Sequence, residues 1–463
     1  MPEFHAEPYL YLPAISHMSV LIAWGAFYFR VRSGGGMKLV KPETLNHVHP
    51  PRKDTIGARS APYGPARVEV HDRAGRMVAF AFTDTANHCW VTGLQPETDY
   101  SYTVMVNGEE WAEGERWNWS PARQALVQGG RYDNRFRTNP DPAAPAASLR
   151  FGVIGDFGVG MKKEVANRRQ QQVADALRAA LDAHDLRFVL TTGDNIYASK
   201  TFLGIPVGGS GEQDDDWFFT YFQPYRYVIN RICVYPSIGN HDTGESEDND
   251  DRAQVEDNFY VRERIAGEEA AGRASFEPGM FYRFRYGSNI EFVCIDTSKE
   301  TIFTGRFFEH PKHQDFLDAS FPAEPGEPIW RIPFGHHPPF CAGPRHHNTG
   351  SMHGRLLSLF QRAGVKVMFS GHEHNFQHSL ADGIHYFVTG AAAKLRDEAP
   401  DRFEEAHTRS WSTSCHFLMV EIGGNEMTVR AIGELGPGEA LTDIARRDSR
   451  GASVTEPMVI RLS

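Results

Sequence analysis

The stretch LRFVLTTGDNIYAS, Leu186 to Ser199, decides how the rest of the chain is read. Its apolar run LRFVL has the length of a buried strand, and the polar TTGD ends it. Asp194 therefore stands where a strand stops, and Tyr197 follows three residues later. The same pattern recurs along the chain. LRFGVIGDFG ends on Asp156-Phe157-Gly158, ICVYPSIGNHD on Asn240, His241 and Asp242, WRIPFGHHPP on His336 and His337, and KVMFSGHEH on His372 and His374. NIEFVCIDTS and GIHYFVTGA read as further strands, and HFLMVEIGGNEMTVRAIG as a hairpin turning at Gly-Gly-Asn. An amphipathic helix, VANRRQQQVADALRAALDAH, separates the first two strands. Strands alternating with helices and closed by a hairpin predict an α/β sandwich of two sheets rather than one doubly wound sheet. This region runs from 149 to 463.

Residues 1–137 have another character. Short alternating runs such as ARVEVHD, RMVAFAFTD and YSYTVMVNG are separated by Gly, Pro and Asn, and predict an all-β sandwich. The stretch VTGLQPETDYSYTVMVNG resembles a fibronectin type III domain, in which the corner tyrosine would be Tyr100. Between the two regions, residues 138–148 (TNPDPAAPAAS) hold three prolines among alanines and predict a semi-rigid linker. Two acidic segments, Glu212 to Trp217 and Gly244 to Arg252, read as solvated loops or helix starts.

Composition narrows the function. The 463 residues carry a formal net charge of −11, with 41% hydrophobic and 23% charged residues. Such a balance argues against binding nucleic acid or an anionic membrane surface, which call for Lys and Arg. A bound cation can still invert the local field for a small phosphate. SVLIAWGAFYF, Ser19 to Phe29, is too short to cross a bilayer and reads as strand. The N-terminus shows neither a basic n-region nor a long apolar segment. This points to the cytoplasm, or to secretion or the periplasm if a leader has been removed. Five scattered cysteines with no CxxC predict free, mostly buried thiols.

Sites in open α/β sheets gather beyond the carboxyl ends of the strands. Each strand-end motif alone is a common turn or a structural histidine, but five in series converge on one chemistry. Asp156, Asp194, Tyr197, Asn240, His336, His372 and His374 make seven donors, too many for one tetrahedral zinc and suited to two metals that share a carboxylate.

The set D-x-G, G-D-x-x-Y, G-N-H-D, G-H-x-P and G-H-x-H resembles the purple acid phosphatases, a branch of the calcineurin-like metallophosphoesterases. The resemblance covers most of residues 149–435 and implies the α/β/β/α fold of that superfamily. The superfamily's first motif is usually D-x-H, whose histidine is a ligand. Here Gly158 takes that place, and the resemblance implies that Tyr197 supplies the missing donor. It further implies Fe(III) held by Asp156, Tyr197 and His374, with Asp194 bridging to a divalent Fe, Zn or Mn held by Asn240, His336 and His372. A phenolate is a hard donor that suits Fe(III). The activity implied is hydrolysis of phosphate monoesters to inorganic phosphate by a metal-bound hydroxide, of the acid phosphatase type, favoured at acidic to neutral pH, in a violet protein. His241 would bind phosphate and protonate the leaving group, with Asp242 holding its imidazole. His346 and His347 would line the phosphate pocket, and Arg345 beside them would bind phosphate. His337 is left without an assigned role. Two alternatives stand beside this reading: a phosphodiesterase of the wider superfamily, and a binding or adhesion protein with a decayed core.

Overall fold

The computed structural model describes residues 4–40, 60–161, 168–197, 201–202, 205–206, 217–243, 252–264, 280–299, 305–323 and 329–462. Most of the two acidic segments, 212–216 and 244–251, lies outside the described residues.

The front region is all-β. In one sheet Ser19–Val31 pairs antiparallel with Phe4–Ile15, Met37–Leu39 and His88–Thr92. The other runs Arg135–Arg137, Asp99–Val106, Ala66–His71, Met77–Thr83. Alternation in ARVEVH and DYSYTVMV turns Val68, Val70, Tyr102 and Val104 into the core. The buried Tyr100 accepts the Gln95 N–H on its hydroxyl at 2.9 Å, which pins the corner before its strand. The fibronectin resemblance rests on this corner.

This region is not a detached module. Leu10–Ile15 and Val20–Phe29 are almost continuously buried, whereas a two-sheet sandwich standing alone would bury every second residue. The reason is the segment Trp217–Ile229 of the second region. Its wide π-type helical turn, closed by Gln223 N–H on Phe218 O, presents Phe218 to Phe27 and Phe29 and Phe222 to Tyr9. The hairpin of Glu115–Ser120 and Ala125–Arg131 adds Trp119 against Phe219. At the centre Arg226 and Glu7, both buried, pair at 2.6 Å. The segment 138–148 is docked rather than swinging: Ala146 N–H meets Asn289 Oδ1 at 2.8 Å, and Arg187 caps the Thr138 carbonyl at 2.7 Å.

The second region contains two facing sheets. The six-stranded one runs Cys233–Tyr235, Phe188–Thr191, Ser148–Ile154, His416–Gly423, Glu426–Gly433, Met458–Arg461. The nine-stranded one centres on Ile290–Cys294, Trp330–Phe334, Val367–Ser370 and Ile384–Thr389, which are parallel. Runs such as FVLT and WRIPF are buried throughout because both faces of each sheet are covered. Phe151 meets Phe292 and Phe369 between the sheets. Helix Arg168–His184 covers one outer face, with Leu177 seated on Gly152. Helices Pro311–Ser320 and Ser358–Arg362 cover the other through Leu317, Leu359 and Phe360. The layers are α/β/β/α, as expected. The hairpin turns at Gly424–Asn425, and all five cysteines are free thiols, four of them buried.

Candidate metal centre

The parallel strands of both sheets release their polar loops at the same end. Asp156 follows Ser148–Ile154, Asp194 follows Phe188–Thr191, Asn240 follows Cys233–Tyr235, His336 follows Trp330–Phe334, and His372 follows Val367–Ser370. All seven expected donors come together there, in two adjacent nests.

The first nest is closed. The Tyr197 hydroxyl lies 2.9 Å from Asp194 Oδ2, 3.2 Å from Asp156 Oδ1 and 3.5 Å from His374 Nε2. The second is half-open. Asn240 Oδ1 lies 2.9 Å from both His336 Nε2 and His372 Nδ1, and the two imidazole nitrogens are 3.1 Å apart. His336 Nδ1 donates to the Thr192 carbonyl at 2.7 Å, which leaves Nε2 with its lone pair facing the nest. Asp194 serves both nests, because its Oδ1 lies 3.4 Å from His336 Nε2 while Oδ2 faces Tyr197.

Local backbone is bent to achieve this. Asp156, Asp194 and His372 adopt φ of 54°, 52° and 71°, a left-handed conformation that costs energy for a side-chain-bearing residue. Backbone donors brace them: His372 N–H holds Asp156 Oδ2 at 3.0 Å, and His241 N–H holds Asp194 Oδ1 at 2.9 Å. Gly158 explains why a tyrosine enters. A Cβ there would lie 2.5 Å from the backbone of Asn195 and Ile196, so no histidine fits without moving that loop. Instead Gly158 pairs with the loop through its own carbonyl, which accepts Tyr197 N–H at 2.9 Å and orients the phenol inward.

The electrostatics call for a cation. Burial, then the charge of Asp194, holds the Asp156 carboxyl well above the usual carboxylate range. Burial, then Asp156 and Asp194, pushes the Tyr197 phenol well above 10. Burial opposes ionisation of Asp194 too, but His336 and His241 outweigh it and keep Asp194 low. His372 and His374 are held neutral chiefly by burial. Two carboxylates, a phenol and neutral imidazoles buried side by side are stabilised when a cation compensates their lost hydration. The donor set therefore fits metal ions, with hard anionic oxygens in the first nest and neutral N and O donors in the second.

The flanking residues divide. His241 is half-buried, with its ring 4.4 Å from that of Tyr197. His346 enters the site, its ring 3.8 Å from His372. Its neighbours do not. Arg345 is exposed and reaches Glu398 at 3.6 Å, and His347 is exposed beside Gly343. Neither side chain is turned toward the nests, because in a tight hairpin adjacent side chains diverge. Asp242 is engaged by donors from two loops. Its oxygens accept Asn195 N–H, Ile196 N–H, Gly239 N–H and the Asn195 side-chain amide at 2.8–3.1 Å, which fills its acceptor positions. It staples the Tyr197 loop to the Asn240 loop.

Several contributors escaped the sequence reading. His337 joins His336 and His372 as a third clustered imidazole, and bonds Thr297 Oγ1 through Nδ1 at 3.1 Å. Glu373 sits fully buried between two ligands. Lys394 Nζ lies 4.2 Å from the centre of the Tyr197 ring, and Arg396 bonds Glu373 at 2.6 Å. Glu373 was legible as the acidic residue inside GHEH; Lys394 and Arg396 carry no motif.

Residues 149–376 match the family model for calcineurin-like phosphoesterases. Among curated proteins, the chain is 23% identical over 328 residues to tartrate-resistant acid phosphatase type 5 of Rattus norvegicus, covering 66% of this chain and 92% of that protein. It is 24% identical over 262 residues to purple acid phosphatase 17 of Arabidopsis thaliana, covering 55% and 71%. Among solved structures it superposes on PhoD with a TM-score of 0.59 at 14% identity, over 98% of this chain and 94% of that one. A purple acid phosphatase from yellow lupin (Lupinus luteus) seeds gives 0.55 at 13% identity, over 98% and 74%. These likenesses carry the fold, while the matched family and its strand-end donors carry the chemistry. Residues 149–376 are thus a calcineurin-like phosphoesterase region, and the chain is a phosphoric ester hydrolase with purple acid phosphatases among its low-identity relatives.

Proposed function

We propose that this protein hydrolyses phosphate monoesters at a binuclear centre of the purple acid phosphatase type. One observation carries the reading: the two oxygens of Asp194 address different nests, Oδ2 toward Tyr197 and Oδ1 toward His336. A carboxylate so placed is suited to bridge two cations. Asp156, Tyr197 and His374 would hold one, and Asn240, His336 and His372 the other. The anionic first nest favours Fe(III), and the neutral second nest a divalent Fe, Zn or Mn. When bound, the pair supplies Lewis acidity toward the phosphoryl group and toward water.

The chain's own residues do the rest. Asn240, His241, His346 and His372 are half-buried and form the open side of the site, where an ester enters. His346 and His241 are the donors for its phosphoryl oxygens. His241, close to Tyr197, is placed to pass a proton to the leaving oxygen. The buried sheets behind Asp156 and Asp194 keep bulk water from that face of the site. Among the described residues, the fibronectin-like front region contributes no side chain to either nest and acts through the scaffold of segment 217–230.

The test joins elemental analysis with a visible spectrum and turnover of p-nitrophenyl phosphate against bis-p-nitrophenyl phosphate. Two metals per chain, a visible band lost in Tyr197→Phe, and preference for the monoester are expected. A colourless two-metal protein that prefers the diester would replace this reading with a phosphodiesterase. A protein that binds metal and turns over neither ester would favour a binding role.

A further inference from the structure

We propose that Glu373 is a positioning residue that fixes His346 over the open nest; this rests on the phosphatase reading above, in which His346 faces the ester. Glu373 is fully buried between the ligands His372 and His374. Its carboxylate gathers three separate segments. Oε2 accepts the backbone N–H groups of Arg345 at 3.2 Å and His346 at 2.8 Å. Oε1 accepts His374 N–H at 3.2 Å and Arg396 Nε–H at 2.6 Å. A buried carboxylate is costly unless its acceptor positions are filled, and here all four are. The result is one rigid joint between the ligand loop and the tip of the hairpin 341–348.

The base of that hairpin is held independently. Gln377 Oε1 accepts Ala342 N–H at 2.8 Å, Ala342 O accepts the N–H groups of Asp401 and Arg402, and Asn348 Oδ1 accepts Cys341 N–H at 2.7 Å. The backbone N–H groups of the tip are held by Glu373. The tip is where the side chains diverge, with Arg345 turned out to Glu398 and His346 turned in to stack 3.8 Å from His372 at 32°. With Glu373 in place, the imidazole of His346 is pre-set against the ligand His372 and no ordering cost falls on the ester. Without it, two backbone donors lose their acceptor and the tip is held more weakly, by the Cys341 thiol donating to the His346 carbonyl at 3.1 Å, while the base stays.

The experiment is a double-mutant cycle on metal-loaded full-length protein: wild type, Glu373→Gln, His346→Ala and the double variant. Each is assayed with p-nitrophenyl phosphate, for bound inorganic phosphate by calorimetry, and for metal content. A Gln side chain offers one acceptor oxygen and points an amide at the remaining donors. Glu373→Gln should keep both metals, raise KM and the phosphate dissociation constant about tenfold, and lower kcat less, the loss expected when one hydrogen bond to a charged group goes. His346→Ala should match it, and the double variant should be no worse than either single one. The proposal is overturned if the two effects multiply, if Glu373→Gln leaves KM and phosphate affinity unchanged, or if its loss of affinity follows loss of metal. Absence of turnover in the wild type would end the phosphatase reading, and phosphate affinity alone would then decide the role of Glu373 by the same criteria.

Discussion

The two nests of the centre share Asp194 and are otherwise opposites. Around Tyr197, the donors Asp156, Asp194 and His374 are buried and mostly anionic when ionised. Around Asn240, the donors are neutral, and Asn240 and His372 are open to one side. The difference is one of charge and access. A closed anionic nest holds a highly charged cation tightly and shields it. An open neutral nest holds a divalent cation less tightly and exposes it to the ester.

The strongest way to break this comparison is to remove what the nests share. Asp194→Asn should cost at least a hundredfold in metal affinity at both positions, read as metal content falling from two toward none, with activity lost alongside. If only one position empties, Asp194 does not bridge. Tyr197→Phe should abolish the visible band and lower activity roughly a hundredfold, while the open nest keeps its metal. Asn240→Ala is the mirror experiment. Metal content should fall from two to one with the visible band retained, and activity should return with excess divalent metal after a drop of about tenfold or more. Loss of the band in Asn240→Ala would show that the nests are not separable.

Smaller effects sharpen the contrast. Gly158→Ala forces a methyl into backbone atoms 2.5 Å away and should destabilise the protein by about 1–3 kcal/mol, visible as a lowered thermal midpoint. Because it displaces the loop that carries Tyr197, it should also shift the visible band. An unshifted band in a destabilised variant would detach Tyr197 from that loop's placement. The smallest effects belong to side chains the hairpin turns away from the open nest. Arg345→Ala and His347→Ala should leave kcat and KM within about twofold, the scatter of surface substitutions. A tenfold rise in KM for either would return it to the phosphate pocket.

Much of this was legible in the residues. The five strand-end motifs are local. An apolar run of strand length followed by a polar residue places that residue at a sheet end wherever the sheet is, so the seven donors and their convergence could be read in advance. The vacancy at Gly158 and its replacement by Tyr197 were also legible, because both lie inside motifs. The flanking groups were not. Arg345, His346 and His347 are consecutive, and which of them enters a site depends on how a hairpin twists. Asp242 follows a histidine as an orienting carboxylate would, but four donors from two loops claim it first.

An α/β/β/α layering, an all-β front region and a cluster of candidate metal donors could be read from the chain alone, since strand length, alternation and loop chemistry are properties of neighbours along it. The rest came from the folded arrangement. It welded the front region to the segment 217–230 through buried aromatics and the Arg226–Glu7 pair, and it aimed the two oxygens of Asp194 at different nests. It also gave Glu373 the hairpin tip to hold. Those outcomes depend on which side chains and backbone donors meet across distant segments, and burial makes every such meeting either satisfied or costly.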